Sequence, residues 1–491
     1  MINKKHFILD TASNSIYFGL KFIFNLVVFS ILISSYSLTE YGEFIFFSTL
    51  IFQFEFIQSG FSTSLLRYLP LYSNDIKKKS NLVFCVTIVY LLLGILISTL
   101  LYILNYFKVF DSFEILNSDQ YIPILILFTP FIFFFKTFSI SLKASKDFRS
   151  DNLVNLIFLI IDLILILFST LNNLSITTIF LLIFTSNLFK NIIHFITYKY
   201  RHGFIFNFKI KDLNSEFNEI KRFSFWNFII SFSGTIINQF DKILVSIFLG
   251  VNTLPIYYGV NQFIKLYISV NGVFNSAIIP YFSEKINNVD NIIFRKIAIK
   301  GTNLTSFLGI IVAFFFMINS EYIFRIIAKE YLIEYSNIFN ICIIIYIFLS
   351  SRSFIYRLHI TRDSHLKFFG IFGLISCLLY PLMFFLLSDR FGIIGAIFSA
   401  PLTHLILSPF WFYKLLYSVK LSIIEFLKVV FNNIILLSLV FSPILVFEYY
   451  LIDQKSLTVV IFETILIIIG VYLIDTNRKE GSIVKLILSL R

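Results

Sequence analysis

Apolar residues fill this chain in blocks of about 20, separated by short polar breaks, and a window of about 19 residues resolves fourteen of them. They are Ser13–Ser35, Gly42–Leu66, Leu82–Phe107, Gln120–Leu142, Leu153–Leu174, Thr177–Tyr198, Phe223–Leu249, Pro255–Phe282, Ala298–Ile318, Asn337–Leu358, Phe368–Leu387, Ile393–Tyr413, Val429–Tyr449 and Leu457–Ile474. Blocks of this length with few charges predict membrane-crossing helices. The expected fold class is therefore an all-α integral membrane protein with about fourteen transmembrane helices. The longest breaks, Asn319–Ser336 and Lys199–Arg222, are too short to fold as separate domains.

Composition narrows this further. Hydrophobic residues make up 58% and charged residues 14%, against about 45–50% and 25% in soluble domains. A cytosolic or secreted globular protein is excluded. The three cysteines, Cys85, Cys342 and Cys377, lie in apolar runs without CxxC spacing and read as packing residues. Asp10, Ser13 and Asn14 precede the first apolar run and no small-residue cleavage site follows it, which predicts an uncleaved first span.

The 40 Lys and Arg residues orient the chain. With the N-terminus inside, the inward segments hold 28 of them, counting the span end at Lys300 to its flanking loop. Outward loops hold only Lys108, Arg325, Lys329, Arg390 and Lys455. Short cytoplasmic loops are enriched in cations, so both termini are expected in the cytoplasm. The net charge of +12 then reflects orientation and anionic inner-leaflet lipid, and no nucleic-acid partner is expected.

An offset of 217 residues maps Gln120 onto Asn337, Leu153 onto Gly370, Thr177 onto Ile394, and Tyr41-Gly42 onto Tyr258-Gly259. Six spans separate the copies, so the repeat is parallel, with its pseudo-two-fold axis along the membrane normal. Three regions are expected: a six-helix lobe over 1–216, a second over 217–427, and helices thirteen and fourteen with a cytoplasmic tail over 428–491.

Ionisable residues inside the blocks carry the candidate chemistry. Seven are cations (Lys21, Lys136, Lys190, Lys242, Lys265, Arg352 and Arg357) and four are acids (Glu55, Asp162, Asp241 and Glu463). At about 3 kcal/mol each, lipid exposure of all eleven would cost roughly 30 kcal/mol, so they are expected to face protein or water. Arg357 and Glu463 lie near span ends, where snorkelling is as good an account. Asn227, Ser231, Gly234, Asn238 and Lys242 form a polar stripe on span seven, and Asn261, Lys265, Ser269, Gly272 and Ser276 form one on span eight. Span six carries Asn187, Lys190, Asn191 and His194 on one face. Such stripes predict a hydrated cavity with excess positive charge, suited to an anion. Lysine, as a mobile point charge, suits a phosphate that changes position. There is no GxxxxGK[ST], HExxH or DxD motif, and the His359/Asp363 spacing is a common chance one. No catalytic residue, cofactor or metal is expected.

Tyr41-Gly42 through Gly60-Phe61-Ser62-Thr63-Ser64-Leu65-Leu66-Arg67-Tyr68-Leu69-Pro70 resembles the second helix of polysaccharide repeat-unit flippases, relatives of the multidrug and toxin extrusion antiporters. Asn238-Gln239-Phe240-Asp241-Lys242, Leu249-Gly250 and Tyr257-Tyr258-Gly259 resemble the start of their second lobe, and Phe391-Gly392-Ile393-Ile394-Gly395-Ala396 the start of their twelfth helix. The resemblance implies a flippase that moves undecaprenyl-diphosphate-linked oligosaccharides across the bacterial inner membrane, surrounded by membrane lipids and working beside a polysaccharide polymerase and a chain-length regulator. Coupling to H+ or Na+ follows by analogy, with Glu55, Asp162 and Asp241 as candidates. Burial and periodicity nominate Lys21, Lys136, Lys190, Lys242, Lys265 and Arg352 as diphosphate contacts. The competing classes are a cation-drug antiporter, which the positive charge excess disfavours, and a membrane-embedded polymerase or acyltransferase, disfavoured by short outward loops and the lack of a catalytic His-Asp pair.

Overall fold

The computed structural model describes residues 4–72, 75–110, 117–204, 240–283, 291–328, 330–360, 366–419 and 421–451, with isolated positions within 217–232 and 456–467. Helix is the only regular secondary structure among the described residues. A helix pairs its backbone N–H and C=O groups within one segment, the requirement that lipid imposes on a spanning chain. The helices are α1 (Lys4–Ser35), α2 (Leu38–Tyr68), α3 (Ile76–Tyr106), α4 (Ser118–Ala144), α5 (Phe148–Leu171), α6 (Ile176–His202), α7 (Leu254–Ser283), α8 (Asn291–Ala328), α9 (Ser336–Ser351), α10 (Ser353–Ile360), α11 (Leu366–Val419) and α12 (Ile423–Leu451). Residues 240–248 form a further helical stretch. Among the described residues, eight helical segments are long and apolar enough to cross a membrane, and the chain is a multi-pass membrane protein.

The helix ends follow from local chemistry. Ser37 and Glu40 form a reciprocal capping box at the start of α2. The Lys78 N–H donates to the Asp75 carboxylate at 2.9 Å, capping α3. Gly203, at φ 67°, ends α6 in the left-handed region, and Lys199, Arg201 and His202 complement the negative end of the helix dipole.

Two predicted boundaries change and a third holds. The expected outward loop Asn319–Ser336 begins as helix, because α8 continues to Ala328. Asn319 donates its side-chain amide to the Phe315 carbonyl at 2.9 Å and Ser320 its hydroxyl to that of Met317 at 3.3 Å, so these side-chain donors find acceptors on their own helix without ending it. The expected tenth span breaks at Arg352 into α9 and α10. The expected division between the eleventh and twelfth spans holds: α11 breaks at Gly392 (φ 56°, ψ −133°), between Leu387 and Ile393. Only a glycine adopts that backbone readily. A Cβ on Gly395 would lie 2.1 Å from the Leu387 carbonyl oxygen, so the chain folds tightly back on itself there. Of the expected fourteenth span, the described positions, 459–460 and 463–467, are helical. The span-seven stripe residues Asn227, Ser231, Gly234 and Asn238 lie outside the described residues.

The chain divides into two compact units, one of Met1–Tyr258 with Lys367–Ala396, the other of Gly259–Leu366 with Ile397–Arg491. In the first, α4 packs on α3 and α6, and α1 on α5. Phe47 stacks on Tyr121 with ring centroids 4.6 Å apart, and Tyr121 meets Phe180 edge-on at 4.9 Å. Glu43, fully buried, accepts hydrogen bonds from the Asn117 backbone N–H at 3.3 Å and its side-chain amide at 2.6 Å, fixing the start of α4. In the second unit, α9 and α12 pack on α8. The Asn433 amide donates to Asn303 Oδ1 at 2.9 Å and lies 2.7 Å from Ser306 Oγ. Phe324 packs between Phe263 and Phe339 at 5.1 and 5.3 Å. Leu92, Leu96, Leu378 and Ile424 are each at least 60% exposed, as expected of side chains that meet lipid rather than water.

Candidate functional site

A polar constellation in the first unit forms a seam along α5 and α6. Asp151, Asn155 and Asp162 share one face of α5, and Ser186, Lys190 and His194 share one face of α6, by helical spacing. Asp151 is completely buried. It accepts a hydrogen bond from Ser139 of α4 at 2.5 Å and from the Asn155 amide at 3.0 Å, and pairs with Lys143 Nζ at 3.2 Å. Its Oδ1 lies 3.5 Å from Nδ1 of His194, itself 1% exposed. A carboxylate so deeply placed is tolerated because donors and a cation surround it. Farther along, Ser186 donates to Asp162, with Lys190 within electrostatic reach of both Asp162 and His194. α1 closes the seam: the Asn152 amide donates to Ser13 at 3.1 Å, and Tyr17 lies within electrostatic reach of Asp151. Lys21, one turn on, is exposed and lies 6.0 Å from the Tyr17 ring.

A second cluster surrounds Lys242. Asp241 and Lys242 are 3% and 8% exposed. Asp241 accepts from the Tyr257 hydroxyl at 2.9 Å and from the Lys242 backbone N–H at 2.9 Å. Lys242 Nζ stands 5.0 Å from the centre of the Tyr258 ring, a cation–π contact worth more in a dry site than in water. Phe29 packs against both Tyr41 and Tyr258, at 5.9 and 6.1 Å, so the tyrosines of the two Tyr-Gly pairs meet through one ring. Gly42 allows the Val251 backbone to come close, since a Cβ there would lie 2.0 Å from the Val251 carbonyl oxygen.

In the second unit the guanidinium of Arg352 occupies the break between α9 and α10. It lies 5.5 Å from the Trp411 ring and 5.8 Å from that of Phe412. Tyr356 packs edge-on to Trp411 at 5.2 Å. Arg352 Nη1 is buried and has no hydrogen-bond partner among the described residues. Buried guanidinium nitrogens are normally paired, so this one is poised for an acceptor. His404, near Tyr346, is within electrostatic reach of Arg352.

The structure thus gathers Asp162 and Lys190 into one seam, Asp241 and Lys242 into one cluster, and Arg352 into an aromatic box. Lys136 on α4 and Lys265 on α7 are half-buried. Glu55 lies on α2 with its side chain outside the described residues. The sequence reading missed Asp151, two residues ahead of the predicted fifth span, although its four-residue spacing to Asn155 and the polar face of α6 were both visible.

The chain matches the family described as Polysaccharide biosynthesis protein over residues 4–285, more than half its length. No curated protein matches it. Among solved structures, it resembles a lipid II flippase MurJ in an inward closed conformation, with a TM-score of 0.71 and 18% identity over 96% of this chain and 99% of that one. It also resembles an inward-facing multidrug resistance MATE family transporter of the MOP superfamily, with a TM-score of 0.59 and 14% identity over 81% of this chain and 94% of that one. A Vibrio cholerae MATE transporter, VcmN, gives 0.62 and 12% over 86% and 98%. The chain is a helical membrane protein with a MurJ- and MATE-like fold, and it belongs to the polysaccharide biosynthesis protein family.

Proposed function

We propose that this protein is a flippase, not an enzyme, that carries undecaprenyl-diphosphate-linked oligosaccharide repeat units across the bacterial inner membrane by alternating access. The observation that carries the reading is the family match over 4–285, on a fold like that of a lipid II flippase. Cations within the spans supply the matching chemistry. Lys21, Lys136, Lys190, Lys242, Lys265 and Arg352 would contact the diphosphate in turn, and the uncommitted Nη1 of Arg352 supports that use. In this reading the lobes at 1–216 and 217–427 move against each other, and the 428–491 helices guide the lipid tail. Both termini lie in the cytoplasm, and a polymerase and a chain-length regulator act on the product.

Proton or sodium coupling belongs to the same proposal, with Glu55, Asp162 and Asp241 as its candidates. The Asp151–His194 pair supports the proton, because an imidazole stands 3.5 Å from a carboxylate and histidine is a side chain commonly used in proton relays.

The test is translocation in proteoliposomes, reading how much lipid-linked oligosaccharide becomes accessible to a lectin outside. Lys190→Ala, Lys242→Ala and Arg352→Ala are each expected to cut the rate at least tenfold, with the Lys→Arg versions closer to wild type. Normal rates in well-expressed alanine variants would overturn the cationic path. Transport of a cationic dye in place of the oligosaccharide would favour the antiporter.

A further inference from the structure

A cleft of about 780 Å³ opens between the starting turns of α5 and the closing turns of α6. Its rim is basic: Lys146, Arg149 and Arg201 line it, with Asp147 as the one carboxylate. That carboxylate is already engaged, accepting from Ser150 Oγ at 2.7 Å and Arg201 Nη1 at 3.1 Å, with His202 Nε2 at 3.6 Å. Below the rim the wall turns apolar. Leu153 and Ile196 are 58% and 52% exposed and Tyr200 is 90% exposed.

Cations at a membrane-helix end, a tyrosine at the same level and apolar side chains one to two turns deeper reproduce the order of a phospholipid: phosphate, glycerol region, acyl chain. Lys146, in the left-handed region at φ 61°, turns the chain sharply into α5. The first turn of α5 then carries Arg149; the helix dipole there is already met by Asp147 and Asp151, so the cations of the rim carry the attraction for an anion. Charge complementarity selects the lipid class: three cations against one engaged carboxylate favour a headgroup with net negative charge over a zwitterionic one. We infer that this cleft is a binding site for an anionic phospholipid of the phosphatidylglycerol type, whose phosphate meets Arg149, Lys146 and Arg201 and whose chain lies along Leu153 and Ile196. The occupant braces α5 against α6 from outside, one turn from the Asp151–His194 contact within the unit. None of Lys146, Arg149 and Arg201 is among the cations proposed to contact the oligosaccharide's diphosphate.

The test is native mass spectrometry of the purified full chain, with phosphatidylglycerol, phosphatidylcholine, or phosphatidylglycerol together with excess inorganic phosphate added to separate portions. Phosphatidylglycerol is expected to stay bound and phosphatidylcholine to dissociate. Neutralising Arg149 and Arg201 to Gln should weaken retention about five-fold per cation removed. Arg149→Lys, which keeps the charge, and Arg325→Gln, which removes a cation elsewhere, should both leave retention unchanged. Equal retention of both lipids, loss of phosphatidylglycerol to competing inorganic phosphate, or an unaffected double variant would each overturn the assignment. The readout is binding, so it stands or falls independently of whether oligosaccharide is transported.

Discussion

Nδ1 of His194 faces Oδ1 of Asp151 at 3.5 Å from the neighbouring helix, with both side chains almost wholly removed from solvent. Ser139 and Asn155 donate hydrogen bonds to that carboxylate, and Lys143 pairs with it. One residue thus joins α4, α5 and α6.

Replacing Asp151 by Ala strands these donors, and leaving buried groups unsatisfied costs about 1–3 kcal/mol apiece. A lower apparent Tm in detergent is expected, with Asp151→Asn intermediate because it keeps an acceptor. Differential scanning fluorimetry of the two variants checks the order, and an unchanged Tm for Asp151→Ala would contradict it.

Gly42→Ala should be much worse than Gly19→Ala. The first would drive a methyl to 2.0 Å from a backbone carbonyl, whereas the second meets nothing within 4 Å. Overpacking of this kind costs about 1–3 kcal/mol or more, while Gly→Ala in an open helix interior gains about 0.5–1 kcal/mol. The comparison needs only the folded yield of each variant by fluorescence-detected size-exclusion chromatography.

How much of this was legible beforehand follows from the kind of signal. The hydrophobic period placed α4, α5 and α6 to within a few residues, and the Phe391-Gly392 pair marked the break inside α11. Hydropathy averages failed at Asn319 and Ser320, where side chains fold back onto their own helix and a polar dip is no longer an end. The averages also hid Asp151, because a carboxylate two residues outside an apolar window looks solvated until helices from other parts of the chain surround it. Pairings such as Phe29 with Tyr41 and Tyr258 depend on tertiary contact and leave no periodic trace.

Arg352→Lys is expected to be a poor substitute for arginine. A guanidinium stacks on the Trp411 face and offers a planar fork, whereas an ammonium does neither. With Trp226→Phe removing the other of the two tryptophans, Trp411 emission should respond to a short-chain diphosphate lipid in the Arg352 protein. The response should be at least several-fold smaller in Arg352→Lys, and an equal response in both would contradict the stacking role.

Gly392→Ala should lower the folded yield, since a Cβ at φ 56° and ψ −133° is sterically opposed. Gly203→Ala, at φ 67° and ψ 53° beyond the end of α6, sits in the ordinary left-handed basin and is expected to cost only about 1 kcal/mol. Yields measured side by side decide whether Gly392 and Gly203 differ as stated.

The tight reversal around Gly392 has a practical consequence for mapping which side of the bilayer each segment faces. With Gly395 pressed on the Leu387 backbone, the connection has no slack to host an epitope tag or a protease site. Cassettes inserted there would report on a damaged protein. Single-cysteine labelling at neighbouring exposed positions such as Phe391, in a background lacking the three native thiols, is the gentler way to learn which compartment that corner visits.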